Sequence, residues 1–123
     1  MSNYGVEQLV GLTLTKVQVN GAGEIIFETN CGRSFRMDHE QNCCEDVTLE
    51  DINGDVNDLI GEEILEARED TNSQVNEEGS LTWTFYTIKS RRGTVVIRWY
   101  GTSNGFYSEA VDVTEILEED DGI

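Results

Sequence analysis

Apolar residues in this chain come in short runs that alternate with polar ones, and glycine corners separate the runs. In Thr94–Tyr100, Val95, Ile97 and Trp99 alternate with Val96, Arg98 and Tyr100. A strand sends successive side chains to opposite faces, so a period of two commits such segments to half-buried sheet. Proline is absent and twelve glycines do the turning, which favours hairpins over long rigid loops. The expected fold class is mainly β (β-rich α+β): a twisted antiparallel meander and hairpin sheet with one or two short helices.

Asn3 is placed to cap a helical turn carrying Val6, Leu9 and Val10 that stops at Gly11. Leu12–Val19 reads as a strand whose apolar parity shifts near Lys16, the signature of a bulge. Ile25-Ile26-Phe27 and Arg33–Met37 complete a three-stranded meander. Val47 and Leu49 mark a short strand, and Asp55 caps a turn that Gly61 ends. Ile64–Ala67 is read as a strand and the polar Thr71–Gly79 as an exposed loop. Leu81–Ile88 and Thr94–Tyr100 form a hairpin through Ser90–Gly93, with Trp83, Phe85, Val95, Ile97 and Trp99 expected on the buried face. That arrangement leaves Tyr86, Arg98 and Tyr100 opposite. After the Gly101–Gly105 corner, Phe106–Val113 is expected to pair back. One β-rich domain over 1–114 and an acidic tail over 115–123 follow.

Charge limits the partners. Twenty-five acids oppose eight bases, a net charge of −17. Such a surface repels nucleic acid and attracts basic proteins. Thirteen of the acids lie in 38–70, and seven more follow from Glu109 without a base, whereas Lys89, Arg91, Arg92 and Arg98 hold half the basic charge in ten residues. Three cysteines, two of them adjacent, point to free thiols in a reducing compartment. No run approaches the ~20 apolar residues of a membrane span, and the N-terminus lacks the pattern of a secretory signal. A soluble intracellular protein is expected.

No arrangement of residues specifies a reaction. Asp51, Asn53, Asp55 and Glu62 imitate a calcium loop, but Val56 stands where its sharp turn needs glycine. His39 with Cys43, Cys44 and the distant Cys31 does not make a zinc set at turn spacing. His39 is the only histidine, and Ser103 and Ser108 sit in no nucleophile signature. The expectation is a non-enzyme with no cofactor and no metal.

Two stretches, His39–Gly61 and Ser80–Asp112, carry the elements H-x-Q-x-C-C-E, T-W-T-F-Y, I-R-W-x-G and S-N-G-x-Y-S-E. In this combination the chain resembles a family of small acidic bacteriophage and prophage proteins known only as a domain of unknown function. It departs from that pattern at Asn42, where the family has an acid, and at Phe106, where it has tyrosine. The resemblance implies a phage origin and a site in the bacterial host cytoplasm; it supplies no activity.

Two readings follow. In the first, a counter-defence protein sequesters a nucleotide-derived immune signal, with rings stacking on a base and a guanidinium on phosphate. Its site residues are Tyr86, Arg98, Tyr100, Ser103, Asn104, Tyr107 and His39. In the second, a nucleic-acid-mimicking inhibitor presents Glu62, Glu63, Glu118, Glu119, Asp120 and Asp121 to a basic defence nuclease or DNA-binding protein. Open strand edges also predict a homo-oligomer.

Overall fold

The computed structural model describes residues 5–41, 44–105 and 108–116. Strands β1 (Leu14–Asn20), β2 (Glu24–Thr29) and β3 (Ser34–Asp38) form the expected meander. The ladder slips between Leu14 and Lys16, where the parity change predicts a bulge. The chain then builds a second antiparallel sheet from β4 (Asp46–Asn53), β5 (Glu66–Asn76), β6 (Gly79–Ser90) and β7 (Gly93–Ser103). Finally β8 (Asp112–Ile116) returns to pair with β3. The sheet orders are β1-β2-β3-β8 and β4-β7-β6-β5, so the fold is mainly β, as expected, but with two sheets rather than one.

Alternation sets the core. Ile25, Phe27, Phe35 and Met37 of the first sheet share one buried cluster with Tyr86, Ile88, Val95, Ile97 and Trp99 of the second. The Trp99 indole N–H donates to Met37 Sδ at 3.3 Å, joining the two layers with both groups buried. Two 3₁₀ turns close the cluster: Gly5–Leu9 supplies Val6 and Leu9, and Val56–Leu59 supplies Leu59. Asp55 caps the second turn, accepting from the Asn57 N–H at 2.9 Å. Asn3 lies outside the described residues.

Four expectations need correction. Tyr86 is buried in the core, whereas Trp83 and Phe85 are half-buried on the opposite face. The cause is the two-residue turn Arg91-Arg92: Ser90 pairs with Gly93, which sets Tyr86 opposite Ile97 and Phe85 opposite Arg98, and cross-strand neighbours share a face. Thr71–Asn76 is strand, because a polar segment needs only the β6 backbone to stay extended. Beyond the Gly101–Gly105 corner, the chain crosses to β3 instead of returning to β7. Glu115 and Ile116, expected in a tail, are strand residues, and Arg33 holds the Glu115 carboxylate through Nε and Nη2, each at 3.1 Å.

The cysteines also differ from expectation. Cys44 is disulfide-bonded and Cys31 is a free, exposed thiol. No helix among the described residues is long and apolar enough to cross a membrane.

If Tyr86 faces the core and Trp83 does not, Tyr86→Ala should lower the unfolding free energy by about 3–5 kcal/mol in urea titrations. Trp83→Ala should cost less than half as much. The reverse order would contradict the assignment of faces.

Candidate functional site

Cross-strand registers define the outer face of the second sheet as four rows. From β4 to β5 they read Asp46–Thr102–Leu81–Gln74, Thr48–Tyr100–Trp83–Asn72, Asp51–Arg98–Phe85–Asp70 and Asn53–Val96–Thr87–Arg68. The middle two members of each row come from the central strands and are half-buried; the outer two are exposed. The result is a stripe two strands wide, with Leu81, Trp83, Phe85, Val96 and Tyr100 along it and carboxylates at both margins. The Trp83 and Tyr100 rings lie 5.1 Å apart at 41°, within the range of a favourable aromatic pair. Arg98, the cation in the stripe, donates to Glu50 Oε1 at 2.7 Å and has Asp51 at 4.0 Å. Its charge is compensated within the chain.

A second cluster sits at the end of the sandwich where β6, β7 and the segment before β8 converge. Gly101 makes it possible: a Cβ there would approach Val47 Cγ2 to 2.8 Å and Glu109 Cβ to 3.0 Å, so only glycine lets Glu109 lie against β7. The Glu109 carboxylate is buried and accepts from the Ser80 hydroxyl, from Ser103 Oγ at 2.5 Å and from Thr82 Oγ1 at 2.6 Å. Burial raises its pKa, but the bonds from Ser103, Ser80 and Thr82, with the nearby His39, outweigh this and hold the carboxyl below its usual range.

His39 closes the cluster. Its Nδ1 stands 2.6 Å from the Ala110 carbonyl, which can only accept, so Nδ1 donates. Its Nε2 lies 2.7 Å from Glu45 Oε2, within hydrogen-bond distance, and both side chains are buried. Gln41 Nε2 donates to the Glu45 carbonyl at 2.6 Å. With both ring nitrogens engaged by the protein, this histidine is a staple between Glu45 and the irregular segment that leads into β8. Among the described residues no buried side-chain nitrogen or oxygen lacks a partner.

The residues expected to bind a ligand are therefore divided. Tyr86 is in the core, donating to the Val111 carbonyl at 2.9 Å. Burial, then the Glu69 charge, pushes its phenol far above the ordinary value, so it stays a neutral donor. Arg98 and Tyr100 share the outer face. His39 and Ser103 belong to the buried cluster, whose sheet-inward position the sequence does not reveal. Asn104 is exposed at the corner, and Tyr107 lies outside the described residues. Trp83 and Phe85 join the outer face, and strand parity counted from the turn is the signal that places them there. Of the expected acidic surface, Glu63 is exposed beside Thr13, and Glu62 has Arg91 at 3.7 Å; Glu118, Glu119, Asp120 and Asp121 lie outside the described residues.

The calcium-like segment is not one loop: Asp51 and Asn53 are on β4, Asp55 caps the turn, and Glu62 faces Arg91. Among the described residues no group of three or more His, Cys, Asp or Glu side chains could hold a metal. Surface concavities have acidic linings, and one of about 480 Å³ is lined by Asn76, Glu77 and Glu78. One of about 180 Å³ is lined by Glu78, Ser80 and Ser103, and one of about 400 Å³ by Glu69 and Asp112. Such linings disfavour an anion.

A family model described as a domain of unknown function, DUF7448, matches residues 7–113. No curated protein and no solved structure matches the chain.

Glu109 makes stability depend on pH. A carboxyl depressed by folding stabilises above its unfolded value of about 4.3, and the contribution is lost as pH falls through the lower folded value. Glu109→Gln should lower stability at neutral pH and shrink the loss seen on acidification from about pH 5 to 3, read from urea midpoints across that range. An unchanged acid profile would contradict the hydroxyl cage.

Proposed function

Since the chain belongs to the DUF7448 family, a domain of unknown function, we propose from its geometry that it is a non-enzymatic binding protein. Its partner is a basic protein surface that docks on the outer face of the β4-β7-β6-β5 sheet. The observation that carries this reading is the stripe of Leu81, Trp83, Phe85 and Tyr100 between acidic margins at Asp46, Glu50, Asp51 and Asp70. Interfaces concentrate affinity in aromatic anchors at their centre and set specificity with a polar rim. The net charge of −17 steers a cationic partner toward that face.

At finer grain, the partner is a nucleic-acid-binding defence protein whose groove accepts carboxylates in place of phosphates. The phage origin implied by the sequence resemblance puts that encounter in the bacterial host cytoplasm. Nucleotide capture has less support. It requires Tyr86, Arg98 and Tyr100 on one open face, but Tyr86 is buried and Arg98 is held by Glu50.

The test uses the immobilised protein and the basic proteins of a bacterial host extract that bind heparin. A partner should be retained with an affinity that falls steeply with salt. Trp83→Ala combined with Tyr100→Ala should weaken it by about thirtyfold or more, the loss of a hot spot of about 2 kcal/mol. Binding indifferent to that double variant would overturn the proposal. Calorimetric binding of a cyclic nucleotide that is lost in Arg98→Ala would favour ligand capture instead.

A further inference from the structure

Three hydroxyls surround the Glu109 carboxylate, and each has one proton to give. Those of Ser80, Thr82 and Ser103 are all spent on Glu109. Toward any other group their oxygens act only as acceptors. Thr82 Oγ1 accepts from Ser73 Oγ at 2.8 Å, and Ser103 Oγ accepts from the Gly105 N–H at 3.0 Å. The 3.1 Å contact between Ser80 Oγ and Ser103 Oγ has no proton left to share. Ser80 Oγ is therefore an acceptor that no donor serves among the described residues.

Ser80 and Ser103 line the cavity of about 180 Å³, at the end of β6 where the turn before it meets the Gly101–Gly105 corner. Gly79 permits that approach, because a Cβ there would strike the Ser103 carbonyl. Asn76 and Glu78 line the same cavity and, with Glu77, the adjoining one of about 480 Å³. A water takes about 30 Å³ of liquid, so the smaller space admits a compact cation and the end of its stem.

Charge is uncompensated here. Among the described residues Glu77, Glu78 and Glu109 pair with no lysine or arginine, whereas every arginine pairs with a carboxylate elsewhere. Lys89, Arg91 and Arg92 lie at the opposite end of the β6–β7 hairpin. The field of the ionised Glu109 adds to that of the two exposed glutamates.

We propose that this cavity is a subsite for an alkylammonium group, bound by Ser80 Oγ and the carboxylates of Glu77 and Glu78, and that it takes a lysine side chain of the docked partner. An ammonium brings three donors and a charge, which is what an unserved acceptor between carboxylates lacks. Leu81 and Thr102 line the cavity and also form the first row of the outer face, so the subsite opens at the end of the aromatic stripe. The lysine assignment rests on the docking surface proposed above. The cation site does not, and it is measured without any partner.

The test is a titration of amide chemical shifts with n-butylammonium and with tetramethylammonium, at matched ionic strength. Butylammonium should give saturable shifts concentrated at Gly79, Ser80 and Ser103. Tetramethylammonium, equal in charge but without an N–H, should give none there. Glu77→Gln combined with Glu78→Gln should weaken butylammonium binding about threefold or more, and Ser80→Ala should weaken it too. Both glutamates are exposed at a turn, so their variant tests the site even if Ser80→Ala does not fold. Butylammonium shifts that spread over the acidic surface without saturating would overturn the proposal, as would equal shifts from tetramethylammonium. A basic partner held equally by wild type and by the double glutamine variant would overturn the lysine assignment.

Discussion

The register of the β6–β7 hairpin governs the rest of the molecule. Ser90 pairs with Gly93 across Arg91-Arg92, so odd-numbered residues of β7 share a face with even-numbered residues of β6. Val95, Ile97 and Trp99 therefore meet Thr84, Tyr86 and Ile88, and all six are buried. Shifting the pairing by one residue would exchange the two faces of β6. It would bury Trp83 and Phe85 and expel Tyr86, whose hydroxyl holds the Val111 carbonyl. Which residues of β6 enter the core and which join the open aromatic stripe follow from that one turn.

Electrostatics is handled differently inside and outside. The interior carboxyl groups, Glu45 and Glu109, each have fixed hydrogen-bond partners, His39 for one and three hydroxyl donors for the other. Such groups are stable when buried only because their partners are fixed in place. Together they tie the 39–45 segment and the 108–111 segment to the end of the second sheet. The exterior carboxylates are mostly solvated, and the arginines among them are spent in local pairs such as Arg33 with Glu115, Arg68 with Glu66 and Asp70, and Arg98 with Glu50. Exposed pairs of this kind add little to stability. Their effect is to leave the surface with an almost unrelieved negative field.

Several features are legible in the residues. The meander, the bulge near Lys16, the Asp55-capped turn and the inward set Val95, Ile97 and Trp99 all rest on local pattern, and local pattern survives folding. The faces of β6 are not, because Leu81, Trp83 and Phe85 are as apolar as Tyr86 and Ile88. Hydrophobicity then cannot choose between two parities, and only the turn length does. Residues 71–76 have the look of a loop because their extended form comes from the neighbouring backbone and owes nothing to their own side chains.

Strand periodicity and net charge belong to the chain before it folds, and they suffice for a β-rich, glycine-cornered domain with a strongly acidic surface. Folding alone selects which of two apolar faces is buried and neutralises Arg98 with Glu50. It also gathers His39, Glu45 and Glu109 with Ser80, Thr82 and Ser103. Those outcomes depend on which strands become neighbours, and pairing between residues as distant as Ser34 and Ile116 is set by the fit of the whole core.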